Sequence, residues 1–255
     1  MITNKPSTTS ANQNQLEQHS LGKSVILHLL PAVIWLILYI PLARLASEKG
    51  IPTMLIMLIT ALFTIFPMEL GYLYYLGKKK NGKLSLQGVV LYREKMPWWQ
   101  YILLGVAIVA WMMFVLIVCW EIVEFIRTKA FSWIPDWYYL SRGSVEQNSP
   151  AIEIIMAVLT LLLFGIIGPI AEELYFRGYL LPRLSKFGKW APLLNVVLFN
   201  LYHFWQPHML VFSIIALLPW VYIVWWKRNV YLSIMVHCFI NISGNLIMNV
   251  IQRFS

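Results

Sequence analysis

Two adjacent glutamates, Glu172 and Glu173, are followed by Arg177 at the end of a long apolar run. That run, Ile154–Ile167, has a single polar residue, Thr160. Placing a charge at membrane depth costs about 2.5–3.5 kcal/mol on insertion scales, so charged residues there indicate a functional site. A carboxylate in such a place can act as a general base toward water, which is one requirement of a hydrolase.

The spacing of these charges suggests different tasks for the two glutamates. Glu173 and Arg177 are four residues apart, so on a helix they share a face and we expect them to form an ion pair. Glu172 is then left free to act as the general base. The alternative is that both glutamates are ordinary first-turn acids after Pro169, where the helix dipole favours negative charge.

Two later helices carry polar residues with the same four-residue spacing. His203 follows Phe199, and Asn241 follows His237, so each pair lies on one helix face. Our hypothesis is that Glu172 and His203 hold and deprotonate a water molecule. His237 and Asn241 would then donate hydrogen bonds to the oxyanion of a tetrahedral intermediate. Taken singly, each of these residues is also compatible with hydrogen bonding that merely joins membrane helices.

Helix geometry predicts that these side chains lie at one depth. Four candidate residues lie nine to fourteen positions from the basic residues that flank their helices on one side: Glu172, His203, His237 and Asn241. At 1.5 Å per residue these separations are roughly 14–21 Å, near the middle of a hydrocarbon core about 30 Å thick. We therefore expect polar groups from three separate helices to meet inside the bilayer.

The composition indicates which elements must position this site. Hydrophobic residues make up 59% of the 255 residues and charged residues only 12%, whereas soluble domains average about 25% charged. Several apolar runs approach or exceed the roughly 18–20 residues that cross a bilayer. We therefore expect an all-α, polytopic membrane bundle with its active site within the bilayer. The net charge of +9 is explained by basic loops on one side of the membrane, and nucleic acid is not an expected partner.

We predict about seven transmembrane helices, with eight as the alternative. The candidate spans are Val25–Leu45, Met54–Leu76, Tyr101–Val123, Ala151–Leu184, Ala191–Trp205, Met209–Trp226 and Val230–Ile251. The fourth is long enough to tilt, break or protrude, and Gly168-Pro169 is the expected break point. Residues 1–22 are predicted to form a disordered polar tail, residues 23–150 the N-terminal helices and loops, and residues 151–255 the part that carries the motifs.

Basic residues predict the orientation. With the N-terminus inside, thirteen Lys and Arg residues fall on inner segments and six on outer ones, Arg177 being intramembrane. This asymmetry favours a cytoplasmic N-terminus. We expect a multi-pass protein of the plasma membrane, the inner membrane of a bacterial cell. In the inner loop between the second and third spans, Leu84–Tyr92 is expected to lie flat on the membrane surface.

Other intramembrane chemistries lack their residues. Asp136 is the only aspartate, so a pair of catalytic aspartates is impossible. No HExxH zinc motif and no GxSG nucleophile motif occurs. The two cysteines, Cys119 and Cys238, lie in apolar runs without a neighbouring base, and no CxxC pair occurs.

The three motifs together resemble the CAAX-protease and bacteriocin-processing family, also called the CPBP or Abi family. That family is marked by EExxxR, FxxxH and HxxxN on successive helices near the C-terminus. The matching segments here are Glu172–Arg177, Phe199–His203 and His237–Asn241, in the same order. The resemblance covers about Ala151 to Ile251.

The resemblance implies an intramembrane endopeptidase that uses a glutamate-activated water. It assigns water activation to Glu172 and His203, and oxyanion stabilisation to His237 and Asn241. Together with Glu173 these are the predicted catalytic residues. The predicted supporting residues are Arg177 and Phe199.

Relatives of this kind have also been regarded as metalloproteases. The cofactor is therefore left open, with a preference for a mechanism without one. If a divalent metal such as zinc binds, its expected ligands are Glu172, His203 and His237. The implied partners are the lipid bilayer and a substrate that is a small peptide or a membrane protein, while the oligomeric state is not determined by the sequence.

Two other functions use the same residues. A catalytically silent binding or regulatory protein would keep the motifs for peptide recognition. A proton-coupled transporter would use Glu172, Glu173 and the histidines as a relay, although inverted repeats are absent from the sequence. His28 and Glu69 also lie in or beside apolar runs, and we expect both to be structural.

Overall fold

The computed structural model describes residues 16–139 and 150–254 of the chain. These residues are almost entirely helical, and within them no β-strand forms, although two isolated bridges occur. The predicted all-α membrane architecture is confirmed. The first fifteen residues of the predicted polar tail lie outside the described residues.

Nine α-helices make up the bundle. They are α1 Leu21–Glu48, α2 Thr53–Phe63, α3 Tyr72–Asn81, α4 Trp98–Phe125, α5 Pro150–Leu159, α6 Gly168–Glu172, α7 Ala191–Tyr202, α8 Leu210–Lys227 and α9 Val230–Phe254 within the described ranges. Wider π-helical turns continue several of them, at Pro67–Gly71, Ile126–Ala130, Thr160–Ile167 and Glu173–Leu180. Such turns are rare and occur often at functional sites.

Six helical segments of the described chain are long and apolar enough to cross a membrane. They are Leu21–Glu48, Thr53–Asn81, Trp98–Ala130, Ala151–Tyr202, Pro207–Lys227 and Val230–Ile247. The predicted count of seven treats the fourth of these, which has 52 residues, as two spans. A single crossing needs only about 20 residues, so this segment is long enough to cross twice.

The turn within that segment lies at Gly188, and the predicted break at Gly168-Pro169 is wrong. Gly188 has φ 55° and ψ −129°, a conformation that glycine adopts at little cost because it lacks a Cβ. Gly168, by contrast, has helical angles (φ −58°, ψ −57°), and its N–H reaches back to Leu163 O in a π-helical bond. The chain therefore passes through Pro169 without leaving the helix.

The residues just before α1 are packed against the bundle. The His19 side chain is buried, and its backbone N–H donates to Arg183 O (2.9 Å). Ser20 caps α1 by accepting a hydrogen bond from the backbone N–H of Lys23 (3.2 Å). Residues 16–22 of the predicted tail are thus in defined positions, and α1 begins at Leu21.

The loop between α3 and α4 folds across one end of the bundle. That Leu84–Tyr92 could lie flat on the membrane stays a prediction, and its backbone is bonded to the helices. Leu91 N donates to Gly178 O (2.8 Å), and Val230 N donates to Tyr92 O (2.7 Å). Unpaired backbone groups would be costly at a helix end, and these bonds satisfy some of them. We call residues 82–97 the end cap.

The residues that follow α6 are closely packed against α1 and α7. Trp35 of α1 and Tyr202 of α7 are fully buried, and so is Phe176. The rings of Phe176 and Tyr202 meet edge to face at 5.0 Å, a favoured aromatic geometry. Helix α4, in contrast, exposes large apolar side chains such as Ile117, as expected where lipid is the surrounding solvent.

Candidate active site

Glu173 is the most completely enclosed of the predicted site residues. Its side chain is 0% exposed, and Arg177 Nε lies 3.4 Å from Oε2, the ion pair that the four-residue spacing predicted. Ser233 Oγ also donates to Oε2, while His237 Nδ1 lies 2.9 Å from Oε1. Both oxygens of the carboxylate are therefore engaged by α9 or by the next turn of its own helix.

Arg177 is held by aromatic rings as well as by its ion pair. The guanidinium carbon lies 3.8 Å from the centre of the Phe199 ring and 5.8 Å from that of Trp220. Such contacts contribute about 0.5–2 kcal/mol, most when the cation is desolvated. Among the described residues its nitrogens have no hydrogen-bond partner. Phe199, a predicted supporting residue, thus packs on the Arg177 guanidinium that forms the ion pair with Glu173.

Glu172 lies beside the same histidine but in more open surroundings. Its side chain is 16% exposed, and its Oε2 lies 3.9 Å from His237 Nε2. That distance is too long for a direct hydrogen bond but allows one water molecule to bond to both atoms. The His237 ring therefore lies between the two glutamates, with one nitrogen facing each.

His203 lies just past the end of α7, on the other side of the site. Its Nδ1 lies 2.8 Å from Phe199 O. A carbonyl oxygen only accepts, so Nδ1 carries a proton and a neutral ring keeps the lone pair on Nε2. The ring packs edge to face on Phe199 at 4.5 Å. His203 can therefore accept a hydrogen bond from a water molecule through Nε2.

Asn241 is positioned by the proline that precedes the glutamates. In the π-helical register set by Gly168 and Leu163, the partner of Phe164 O would be the N–H of Pro169, and proline has none. Asn241 Nδ2 donates to Phe164 O instead (2.8 Å). This bond orients the amide and joins α9 to the segment before α6, leaving a second N–H on Nδ2.

A cavity of about 240 Å³ lies among the polar side chains of α7 and α9. Phe199, His203, His237 and Asn241 are among the residues that line it. Glu172 contacts the cavity-lining residue His237. Within the described part of the chain, no hydrogen bond or ion pair joins Glu172 directly to His203. The structure thus brings the predicted residues of three helical segments into one region.

The sequence missed two groups that contact this cluster. Ser233 precedes His237 by four residues, so the spacing Ser233, His237, Asn241 along one face of α9 was a usable signal. Glu69, predicted to be structural, is fully buried and accepts a hydrogen bond from Tyr202 Oη (2.9 Å). Its position in the N-terminal half gave no local signal.

Glu69 is close enough to interact electrostatically with Glu172, Glu173 and Arg177. Its second oxygen, Oε2, has no hydrogen-bond partner among the described residues. His28, the other residue predicted to be structural, lies 3.1 Å from Asn195 Nδ2 through Nε2 and 2.7 Å from a backbone carbonyl through Nδ1. Its ring is therefore satisfied, in keeping with that prediction.

The expected ligands of a metal, if one binds, are Glu172, His203 and His237. Within the described residues, no group of three or more His, Cys, Asp or Glu side chains is arranged to hold a metal ion. His203 and His237 each use Nδ1 for a protein contact and keep Nε2 available, as metal-binding histidines do. A metal held by these two residues and Glu172 stays a prediction.

Comparison with known proteins gives one match. Residues 154–243 match the family model described as type II CAAX prenyl endopeptidase Rce1-like. No curated protein and no solved structure matches the chain. The matched segment runs from α5 into α9 and includes all three motifs. The family description is that of an endopeptidase, and six segments of the described chain can cross a membrane. The chain therefore carries, at residues 154–243, an Rce1-like domain of the CPBP family of membrane proteases.

Proposed function

We propose that this protein is an intramembrane endopeptidase that hydrolyses a membrane-associated peptide or protein with a water activated by Glu172. The observation that carries the proposal is the placement of Glu172 Oε2 3.9 Å from His237 Nε2, beside a cavity that His237 and Asn241 line. The Rce1-like domain supports the same conclusion.

The reaction starts with a water held by Glu172. The carboxylate accepts a proton from this water while the water oxygen forms a bond to the carbonyl carbon of the substrate. His203 Nε2, which keeps its lone pair, accepts a hydrogen bond from the second hydrogen of this water and so orients the water for attack. Among the described residues, no hydrogen bond or ion pair joins His203 to Glu172. In the proposed mechanism the water bonds to both side chains.

The oxyanion forms on the same carbon that the water attacks. Its donors must therefore lie within a few ångströms of the general base, and His237 meets this requirement. The second N–H of Asn241 Nδ2, one turn further along α9, is the other donor. Since the Nδ1 proton of His237 faces Glu173, its Nε2 donates only when the ring carries both protons, and Glu173 then supplies the opposite charge.

The intermediate collapses when Glu172 returns the proton to the amide nitrogen. The carbon–nitrogen bond breaks, and the products are a free amine and a carboxylic acid. Removing a general acid–base of this kind typically lowers the rate about 10²–10⁴-fold.

Glu173 and its neighbours position this machinery. The carboxylate fixes the His237 ring through Nδ1, as the buried carboxylate of a serine-protease triad fixes its histidine. Arg177 keeps Glu173 charged, Ser233 fixes one oxygen, and Phe199 packs on Arg177. We assign these four as positioning residues, since each acts through His237 or through Glu173.

The expected location is the plasma membrane of a bacterial cell with the N-terminus in the cytoplasm. The support is the basic-residue asymmetry of the loops. The end of the bundle that carries most Lys and Arg residues would then face the cytoplasm.

Cleavage of a synthetic transmembrane peptide in proteoliposomes tests the proposal. We expect Glu172→Gln to lower the cleavage rate about 10²–10⁴-fold, while Glu121→Gln, at an exposed position of α4, leaves it unchanged. Wild-type cleavage by Glu172→Gln would refute the role of Glu172. Binding of the peptide without cleavage by the unmodified protein would favour the silent binding protein instead.

The substrate class is tested in the same system. Two peptides that differ only in a prenyl group on a C-terminal cysteine show whether the specificity named in the family description extends to this chain. A preference for the prenylated peptide would place it with prenyl endopeptidases, and equal rates would place it with general membrane peptidases.

Chelators test the preference for a mechanism without metal. We expect 1,10-phenanthroline to leave the initial rate within about twofold of the untreated rate, because Glu172 supplies the base directly. Elemental analysis of the purified protein would show no stoichiometric zinc. Loss of activity that added zinc restores would contradict this and favour ligation by Glu172, His203 and His237.

A further inference from the structure

One ionisable side chain of the N-terminal half is buried beside the site but has no part in the mechanism described so far. Glu69, in the π-helical turn Pro67–Gly71, is 0% exposed and belongs to a segment long and apolar enough to cross a membrane. It lies outside the residues that match the family model. An ionisable group inside a membrane is costly, so its partners indicate a function for it.

The turn that carries Glu69 runs beside the helix of the two adjacent glutamates. Before the turn, Phe66 Cε1 lies 3.8 Å from the position that a Cβ on Gly168 would take. After the turn, Tyr72 Oη lies 3.4 Å from Tyr179 Oη. Glu69 is midway between these two contacts, so it lies at about the level of the adjacent glutamates, which are midway between Gly168 and Tyr179. In keeping with this, the Glu69 carboxyl group interacts electrostatically with both of them.

A buried hydrogen bond joins Glu69 to the helix that ends next to His203. Tyr202 Oη donates to Glu69 Oε1 (2.9 Å), and the Tyr202 side chain is itself fully buried. Tyr202 is the last residue of α7, and His203 follows it with non-helical angles (φ −80°, ψ 52°). The rings of these two residues meet edge to face at 5.1 Å. The hydrogen bond therefore fixes the residue from which the chain leads into His203.

The orientation of the His203 ring depends on this end of α7. Its Nδ1 donates to Phe199 O (2.8 Å), and that oxygen belongs to the last turn of the helix, where carbonyl groups have no intrahelical partner. Helix ends fray unless other contacts hold them. The hydroxyl group of Tyr202, bonded to a buried carboxyl group of another segment, is such a contact. With it in place, Nδ1 keeps its proton and Nε2 stays free to accept a hydrogen bond.

We propose that Glu69 is a positioning residue of the active site, and that it orients His203 by holding Tyr202 in place. The inference rests on the proposed peptidase function, in which His203 Nε2 orients the attacking water. It goes beyond the structural role that the sequence predicted for Glu69. It also gives the N-terminal half of the chain a part in the site, in addition to crossing the membrane.

Steady-state cleavage of the transmembrane peptide in proteoliposomes tests the effect on catalysis. We expect Glu69→Leu, which removes the acceptor for Tyr202, to lower kcat about 10²-fold, because a displacement of about 1 Å in an active site can have an effect of that size. KM should stay unchanged, since the lost interaction does not involve the bound substrate. Glu121→Leu, at an exposed position of α4, is the matched control and should cleave like the unmodified protein.

Two further variants separate the hydrogen bond from the filling of space. Glu69→Gln keeps an oxygen that accepts from Tyr202, so we expect it to recover most of the kcat lost in Glu69→Leu. Tyr202→Phe keeps the ring but removes the donor, and it should lower kcat about as much as Glu69→Leu does. The double variant should be no slower than either single one, because both changes remove the same interaction. Additive losses, or a Glu69→Gln variant as slow as Glu69→Leu, would overturn the proposal.

The ring of His203 gives a second readout that needs no substrate. In protein labelled with ¹⁵N-histidine at about pH 8, where an ordinary imidazole is neutral, the nitrogen shifts show which ring nitrogen carries the proton. The His203 signals are those absent from His203→Gln. We expect a protonated Nδ1 in the unmodified protein, and two nitrogen shifts that move toward each other in Glu69→Leu as the tautomers exchange.

His28 is the internal control for this measurement. Both of its ring nitrogens have hydrogen-bond partners, so its shifts should not change in Glu69→Leu. Equal changes in His28 and His203 would indicate a general loosening of the bundle and would overturn the proposal.

The two experiments distinguish a failure of this proposal from a failure of the proposed function. If the unmodified protein does not cleave the peptide, the peptidase function fails, and the nitrogen shifts still decide whether Glu69 orients His203. Cleavage by the unmodified protein, with kcat and the His203 shifts unchanged in Glu69→Leu, would overturn the positioning role and leave the peptidase intact. Variants are compared only when each elutes as a single species in detergent. If Glu69→Leu does not, Tyr202→Phe takes its place in both experiments.

Discussion

Glu172 and Glu173 are consecutive in the chain, yet their side chains lie in two different regions. Glu173 belongs to the interior cluster with Arg177, Ser233 and His237, and it is 0% exposed. Glu172 lies beside the cavity-lining residue His237 with its side chain 16% exposed, and its Oε2 lies 3.9 Å from His237 Nε2.

The difference follows from helix geometry. Successive side chains on a helix are about 100° apart, so two neighbouring glutamates cannot face the same surroundings. The inner carboxylate is fixed by charge and hydrogen bonds, which suits orientation of a histidine. The outer carboxylate keeps oxygen atoms that water can reach, which suits proton transfer. In the proposed mechanism, Glu173 therefore positions His237 while its neighbour Glu172 accepts the proton.

The largest expected contrast is between activity and stability. Glu172→Gln should lower cleavage about 10²–10⁴-fold while the unfolding midpoint in detergent stays close to that of the unmodified protein. A large drop in the midpoint would mean that Glu172 is part of the interior cluster, and the comparison between the two glutamates would fail.

Glu173→Ala should lower the stability of the folded protein, whereas Glu172→Gln should not. Removing one partner of a buried ion pair leaves the other charge uncompensated and costs about 3–5 kcal/mol. Unfolding followed by tryptophan fluorescence in increasing SDS measures the loss, and Glu172→Ala is the matched control. Equal losses for the two variants would contradict the assignment of Glu173 to the interior.

Ser233→Ala should have a smaller effect on the same cluster. Hydrogen bonds to charged groups contribute about 1.5–3 kcal/mol, and this substitution removes one of those to Glu173. The same unfolding assay measures it, with Ser243→Ala on α9 as control. If Ser233→Ala matched its control, the hydrogen bond to Glu173 would contribute nothing to stability.

Phe199→Leu should have the smallest effect, about 0.5–2 kcal/mol, because it removes the cation–π contact with Arg177 but keeps an apolar side chain. Phe239→Leu, at an exposed position of α9, controls for the change of ring to branched chain. The activity of Phe199→Leu should fall in proportion to its loss of stability. A loss of cleavage without destabilisation would make Phe199 part of the chemistry rather than a support for Arg177.

The sequence predicted one of the contacts around the candidate site and missed others. The four-residue spacing predicted the Glu173–Arg177 ion pair, since residues four apart on a helix are neighbours. The spacing did not predict which of the two histidines, His203 or His237, lies next to Glu172. Depth along a helix can be counted from the sequence, but the rotation of one helix against another cannot.

The proline near the glutamates shows why the predicted break failed. A proline removes one backbone hydrogen bond, and from sequence alone this predicts a kink. Here the π-helical turn continues the helix through Pro169, and the Asn241 amide supplies the missing partner for Phe164 O. Side chains of neighbouring helices can restore such bonds in membrane proteins, and which side chain does so is decided by packing. The turn at Gly188 has no comparable signal beyond the glycine itself.

The sequence by itself determined that this chain is a helical membrane protein and predicted an acid–histidine–asparagine site, because hydropathy and the spacing of residues along a helix are local properties. The tertiary structure alone decided that Ser233 meets Glu173, 60 positions away, and that Tyr202 meets Glu69, 133 positions away. It also decided that the loop after α3 packs across one end of the bundle. These outcomes depend on how separate helices pack, and no short stretch of sequence records that.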